Sequence, residues 1–457
     1  APTPAPTPAP TPVPTPVSEL DISETFQQPS EVAEVPNRVI PVNLVDPDRT
    51  ILNRSLAIQD LPQAFLAIER EYIAELERFT GEAIPVNSIS IDEVQQELEI
   101  ILEKTRSITA LIYPVMLGDR LEVIVIPPKS KGKPFLRTNY DAASNKIKPL
   151  IRSLRTNILD PSSQDYLPEA QQMHKWIMAP IEAELQKREI ETIVFVMDGD
   201  LRVLPMAVLH DGQKFLTEKY AIATIPSSLV TRLQDRDRTN TRILGMGVSE
   251  AIQGFSALPL VETEVKTITS QGTRGNVLLN EPVTIANLQS QRQAQKFGIV
   301  HLATHAQFQS DTAGGSFVQM WNERLSIPQF RTLRLDDPQV ELLTLSACQT
   351  ALGKNLGLSG LAVQLGVKSV LSSLWSVSDV GTAPFMIRFY QDFAQARNKA
   401  IAIQNAQKAM ISGQIKFTGN QITGAIEQDL ILPQSLTALD LSHPYYWSTF
   451  ILVGNWL

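Results

Sequence analysis

Residues 297–305 read FGIVHLATH and residues 341–350 read ELLTLSACQT. Each opens with a short apolar run of the kind that forms a buried strand, Phe297–Ala303 and Glu341–Ser346. The stretches around them repeat the theme. Arg242–Gly247, Asn276–Leu279, Ser369–Leu374 and Trp447–Val453 read as further strands. Between them, helical spacing links Leu258, Val261, Val265 and Ile268, then residues 284–295, 358–365 and 398–412, and the row Phe385, Met386, Phe389, Tyr390 and Phe393. Strands alternating with helices predict an α/β fold, a doubly wound and mostly parallel sheet covered on both faces. Ligands of such sheets sit beyond the carboxyl ends of the strands. The residues just past the two quoted runs are therefore the first place to look for chemistry. They are His305 and Cys348.

Residues 240–457 form this half. A polar, charged stretch, QDRDRTNTR at 233–241, separates it from an earlier α/β unit over 50–232. There, Phe65, Ile68, Tyr72, Leu76 and Phe79 mark a helix, and Ser90 with Glu93 forms a capping-box pattern for another. Ile108–Met116 and Leu121–Pro127 flank Gly118-Asp119 as a hairpin. Helical patterns follow at 141–157 and 166–187, then a strand at Ile193–Met197. Residues 1–49 read as a Pro/Thr-rich disordered linker, whose residues 1–17, with Pro at every even position from Pro2 to Pro16, form an extended polyproline-II spacer or a simple disordered tail. No signal-peptide pattern precedes it.

The 457 residues are 43% hydrophobic and 19% charged, a composition that folds. The net charge of −8 and the lack of a basic cluster do not invite nucleic acid. No apolar run is long enough for a membrane span. The single cysteine excludes an internal disulfide and any multi-thiolate metal site, and no paired-ligand spacing suggests a metal. Gly245-Met246-Gly247 follows a strand, but Glu250 stands where a dinucleotide fingerprint needs its third glycine. No cofactor is expected.

If the two quoted strands are neighbours, a thiol and an imidazole emerge together, the minimal pair for covalent acyl transfer. A lone cysteine is also a common small core residue. The spacing alone leaves both readings open. HLATHAQF, LLTLSACQTALG, GLAVQLGVKSVLSSLWSVSD and HPYYWSTFILVG, in that order, resemble the CHAT domain family of caspase-like cysteine peptidases, related to separase and caspases. DGDLRVLPMAVL and YAIATIPSS resemble the non-catalytic N-terminal half of such domains.

The resemblance implies Cys348 as nucleophile and His305 as the imidazole that protonates the leaving amine. It implies an oxyanion hole from the backbone N–H groups of Cys348 and Ala306. The family usually has Gly at the latter position, and a Cβ there would be uncomfortable at positive φ. Asp379 closes a stretch similar to the LW-x-V-x-D block of separase. It would hold an Arg or Lys before the cut, with Trp375 as core or pocket wall, or would cap the helix that follows. The expected activity is cleavage of a protein or peptide substrate after Arg or Lys. The alternative is an inactive scaffold that binds partners. The insertion 306–340, with Gly314-Gly315 and Arg324, Arg331 and Arg334, reads as a flap or self-cleavage loop. The resemblance also implies a controlling sensor or repeat region upstream. A free thiol suits the cytosol, and the spacer suits an envelope or secreted protein.

Overall fold

The computed structural model describes residues 47–80, 83–84, 89–231, 242–270, 275–307, 316–346, 360, 362–363, 365–376, 378–418, 421–425, 430–431 and 439–457. Residues 46–457 form one compact unit. Its strands are β1 (Thr109–Met116), β2 (Leu121–Ile126), β3 (Phe135–Asn139), β4 (Thr192–Val196), β5 (Ala221–Ile225), β6 (Ile243–Gly247), β7 (Asn276–Leu279), β8 (Ile299–Ala303), β9 (Ala306–Gln307), β10 (Phe317–Gln319), β11 (Arg324–Ser326), β12 (Leu342–Ser346), β13 (Ser369–Ser373), β14 (Lys416–Thr418), β15 (Gln421–Thr423), β16 (Leu430–Ile431) and β17 (Phe450–Gly454). Among the described residues, eleven of them make one sheet in the order β3-β2-β1-β4-β5-β17-β13-β12-β8-β6-β7.

The sheet is α/β and mostly parallel, as the alternation predicts. β4, β6, β8 and β12 are buried along their whole length, because helices cover both faces. Three pairings depart from the parallel pattern: β1–β2, β2–β3 and β13–β17. β2 and β3 are antiparallel, and the β1–β2 hairpin falls where the sequence placed it. β17 runs antiparallel to β13 and parallel to β5, so it joins the two halves into one sheet. It starts at Phe450 rather than Trp447, because Pro444–Trp447 forms a short helix capped by His443. The expected continuous helix over 166–187 is two, broken at Met178 ahead of Pro180. The capping box at Ser90 and Glu93 forms with both reciprocal bonds.

Helices Pro47–Ala57 and Leu61–Thr80 lie over the carboxyl ends of β1, β4 and β5. Arg49 donates to Glu71 and to Asp198 just past β4, and Asp198 in turn accepts from the Met116 N–H that ends β1. Glu69 accepts from Tyr113 and from Ser227 and Ser228 beyond β5. The first half's sheet edge is thus filled by protein side chains.

The two glycines of β6 have a packing role. A Cβ at Gly247 would stand 2.6 Å from Val261 Cγ1 and 2.9 Å from Val265 Cγ2. One at Gly245 would stand 2.8 Å from Val265 Cγ1. Glycine lets helix Val261–Ser270 lie directly on β6. Gly247→Ala is expected to destabilise the fold by about 1–3 kcal/mol through overpacking, seen as a lower denaturation midpoint with an unchanged m-value. A midpoint equal to the parent's would show that the helix can simply shift.

Candidate active site

β8 and β12 are parallel neighbours, and their register pairs Ala303 with Ser346. His305 and Cys348 are each two residues past that pair. Cys348 lies outside the described residues, as do Ala347, Gln349 and Thr350. His305 is half-buried at the sheet's carboxyl edge. It is held by the loop between β6 and helix Val261–Ser270. Gln253 and Gly254 have φ of +48° and +87°, and a bridge pairs Ile252 with Phe255, the signature of a tight two-residue turn. The turn delivers Phe255 to stack on the His305 ring, with centroids 4.7 Å apart and planes at 16°. The next residue, Ser256, places its carbonyl oxygen 2.8 Å from His305 Nε2. A carbonyl only accepts, so Nε2 carries a proton and, in the neutral ring, Nδ1 keeps the free lone pair.

Ala306 opens β9, which pairs with β10 and β11 as a small antiparallel sheet. Gln319 N–H donates to His305 C=O, which makes these two a hydrogen-bonded pair. The next pair, Ala306 with Val318, is then of the non-bonded kind. The Ala306 N–H points away from β10 and is not spent in that ladder. Ala306 is extended and is not among the residues at positive φ, so its Cβ carries no strain.

Beside His305 is a cavity of about 30 Å³, lined by Leu258, Val261, Phe450 and the polar residues Glu264, Ser346 and Asp379 among others. Helices Val261–Ser270 and Asp379–Phe393 pack together here. Asp379 Oδ2 accepts from Leu260 N–H. Burial raises the Asp379 carboxyl to about 7; the Leu260 N–H opposes this and the nearby Glu264 charge adds to it. Glu264 Oε1 accepts from Ser346 Oγ at 2.8 Å and lies 2.9 Å from His301 Nε2, near enough for an ion pair but off the line of a hydrogen bond. His301 Nδ1 is 3.3 Å from Tyr390 OH, which is 2.7 Å from Thr344 Oγ1. This buried polar network ties β8, β12 and both helices together under the cavity.

A family model, the CHAT domain, matches residues 167–455. The chain belongs to the CHAT domain family. A search of the curated proteins finds no match. Among solved structures, this CHAT chain is similar to Saccharomyces cerevisiae separase in complex with securin, at 11% identity and a TM-score of 0.47, covering 88% of this chain and 34% of that one. It spans about a third of the separase chain. It is also similar to the RgpB pro- and mature domains of Porphyromonas gingivalis, at 11% identity and a TM-score of 0.40, covering 68% of this chain and 77% of that one.

The fold brings three of the five sequence-derived site residues, His305, Ala306 and Asp379, to one edge of the CHAT sheet. Trp375 lies in the core. It is 3% exposed, its indole N–H goes to the Tyr445 carbonyl, and it does not line the cavity. Asp379 does not cap its own helix, whose N-cap is Ser378; it serves the amino end of the neighbouring helix through Leu260. The insertion is described at residues 306–307 and 316–340. Its described part holds β9, β10, β11 and helix Ile327–Thr332, with Arg324 stacked over Phe317. Gly314-Gly315 lies outside the described residues. Phe255, Ser256 and Glu264 carry no motif, and sequence reasoning did not find them.

The raised Asp379 carboxyl gives a signed test. Between its usual 3.8 and about 7, the native state holds a proton that the unfolded state has lost. Stability from this group therefore falls as pH rises through that window. Asp379→Asn keeps an acceptor for Leu260 and removes the ionisation. Its melting temperature should gain on the parent's between pH 4 and pH 8, by about 1 °C per kcal/mol of relief for a unit of this size. A gap that stays constant with pH would refute the burial argument.

Proposed function

We propose that this chain is a cysteine endopeptidase that cuts protein or peptide substrates after Arg or Lys. The observation that carries the reading is the β8–β12 register, which sets His305 and Cys348 at equal offsets past one paired position. Membership of the CHAT family supports it. In the reaction, the Cys348 thiol gives its proton to His305 Nδ1, and the thiolate attacks the scissile carbonyl carbon. The Ser256 carbonyl fixes the ring's tautomer and steadies the imidazolium that forms. The tetrahedral oxyanion is received by backbone N–H groups of Ala306 and Cys348. As the C–N bond breaks, His305 returns the proton to the leaving amine. Water, deprotonated by the same imidazole, then releases the acid from the thioester and restores the thiol.

The cavity beside His305 receives the residue before the cut. Asp379 supplies a charge for its cationic head, and Leu258, Val261 and Phe450 supply apolar walls for an aliphatic stem. The natural substrate is a protein or peptide with such a residue exposed, and an upstream region of a longer chain would control access to the edge.

The test is a panel of fluorogenic peptides varied at the residue before the cut. The parent should cleave after Arg and Lys. Cys348→Ala should fall to background, and His305→Ala should lose roughly 10²–10⁴-fold. Turnover that survives Cys348→Ala would overturn the proposal. Failure of every peptide, together with no labelling of Cys348 by an electrophilic Arg peptide, would favour a partner-binding scaffold.

A further inference from the structure

The cavity holds one acid more than the reading above uses. Glu264 lies in the first turn of helix Val261–Ser270, fully buried, with its side chain turned to the sheet at Ser346. Oε1 is occupied by Ser346 Oγ at 2.8 Å and neighboured by His301 Nε2 at 2.9 Å. Oε2 is buried and has no hydrogen-bond partner among the described residues. Buried carboxylate oxygens are costly to leave without donors. Glu264 also lines the same cavity as Asp379.

A neutral donor would satisfy Oε2 but would leave the repulsion between the two carboxylates in place. The two carboxylates repel each other, and that repulsion is one cause of the raised Asp379 carboxyl. A cation between them relieves it and brings the missing donors. A guanidinium offers five N–H groups and an ammonium three, so either can donate to both acids at once. The apolar walls match the stem of either side chain.

We propose that Glu264 is a second specificity-determining acid: its Oε2 accepts a hydrogen bond from the cationic head of the residue before the cut, which sits between Glu264 and Asp379. This rests on the cysteine-peptidase reading. It adds that selection for charge is made by a pair, of which the buried member is fixed by Ser346 and His301. Glu264 is thereby rigid, with little side-chain freedom left to lose on binding.

Two measurements on the full chain test it. In the first, kcat/KM is compared for peptides that differ only as Arg or citrulline before the cut, shapes nearly alike but charged and neutral. Glu264→Gln should lower the Arg-over-citrulline preference by roughly 10–100-fold, mainly through the KM of the Arg peptide, the citrulline peptide losing much less. An unchanged preference would overturn the inference. Equal loss on both peptides would also overturn it, since Glu264 would then act only as a support for β8 and β12. In the second, agmatine is titrated calorimetrically into the Cys348→Ala chain with and without Glu264→Gln. Weakening by about 10-fold or more is expected. This arm needs no turnover, so the pocket can stand where the peptidase reading fails. Agmatine that binds both forms equally, or neither, would sink the pocket. A melting curve checks that Glu264→Gln folds. Should it not fold, Glu264→Asp, which keeps the charge and withdraws it by one methylene, takes its place with the same expected direction.

Discussion

The parallel pairing of β8 with β12 is the constraint on which the site depends. A parallel ladder fixes register residue by residue. A slip of one residue would turn every side chain of a strand to the opposite face. Here both strands are buried on both faces, so a slip would also mismatch two helix layers. Thr344 opposite His301, and Ser346 opposite Ala303, are therefore firm positions. The Glu264 network reinforces them, because it reaches His301 on one strand and Ser346 on the other from a single carboxylate oxygen. Polar groups inside a core are a specificity device only when nearly all are satisfied. In this network Glu264 Oε2 and His301 Nε2 have no hydrogen-bond partner, and Glu264 is among the residues that line the cavity.

Much of the architecture was legible in the sequence because periodicity changes when a chain moves from strand to helix. The runs at 276–279, 299–303 and 342–346 fall within a residue or two of where apolar patterning puts them. The His305 position followed from its offset past one of those runs. What the sequence hid was of two kinds. Direction was hidden: nothing in Phe450–Gly454 tells whether it runs with or against its neighbours, because burial on both faces gives the same apolar composition either way. Partnership through space was hidden as well. Ser256 reaches His305 across 49 positions, and Glu264 reaches Ser346 across 82. Neither contact needs a special residue type, since one is made by a backbone carbonyl and the other by an ordinary helical Glu.

Two local readings also changed meaning once neighbours were known. Gly245-Met246-Gly247 looked like a failed nucleotide fingerprint. Its glycines instead admit the γ-methyls of Val261 and Val265, and so set the height of the helix that carries Glu264. Ala306 looked like a handicap at a glycine position. In an extended strand it has no positive φ to endure, and its amide is left over by the alternation of the β9–β10 ladder.

The strand order has a consequence for a broken chain. β17, β13 and β12 all come from sequence after β10, yet in the sheet they lie between β5 on one side and β8 on the other, both from before it. A backbone break anywhere between Gln307 and Phe317 would therefore not yield two separable pieces. The later fragment would be a three-strand wedge, hydrogen-bonded along both flanks to the earlier one through β5–β17 and β8–β12. Such a nicked molecule is topologically a heterodimer whose interface is its own core. Its halves would part only on unfolding.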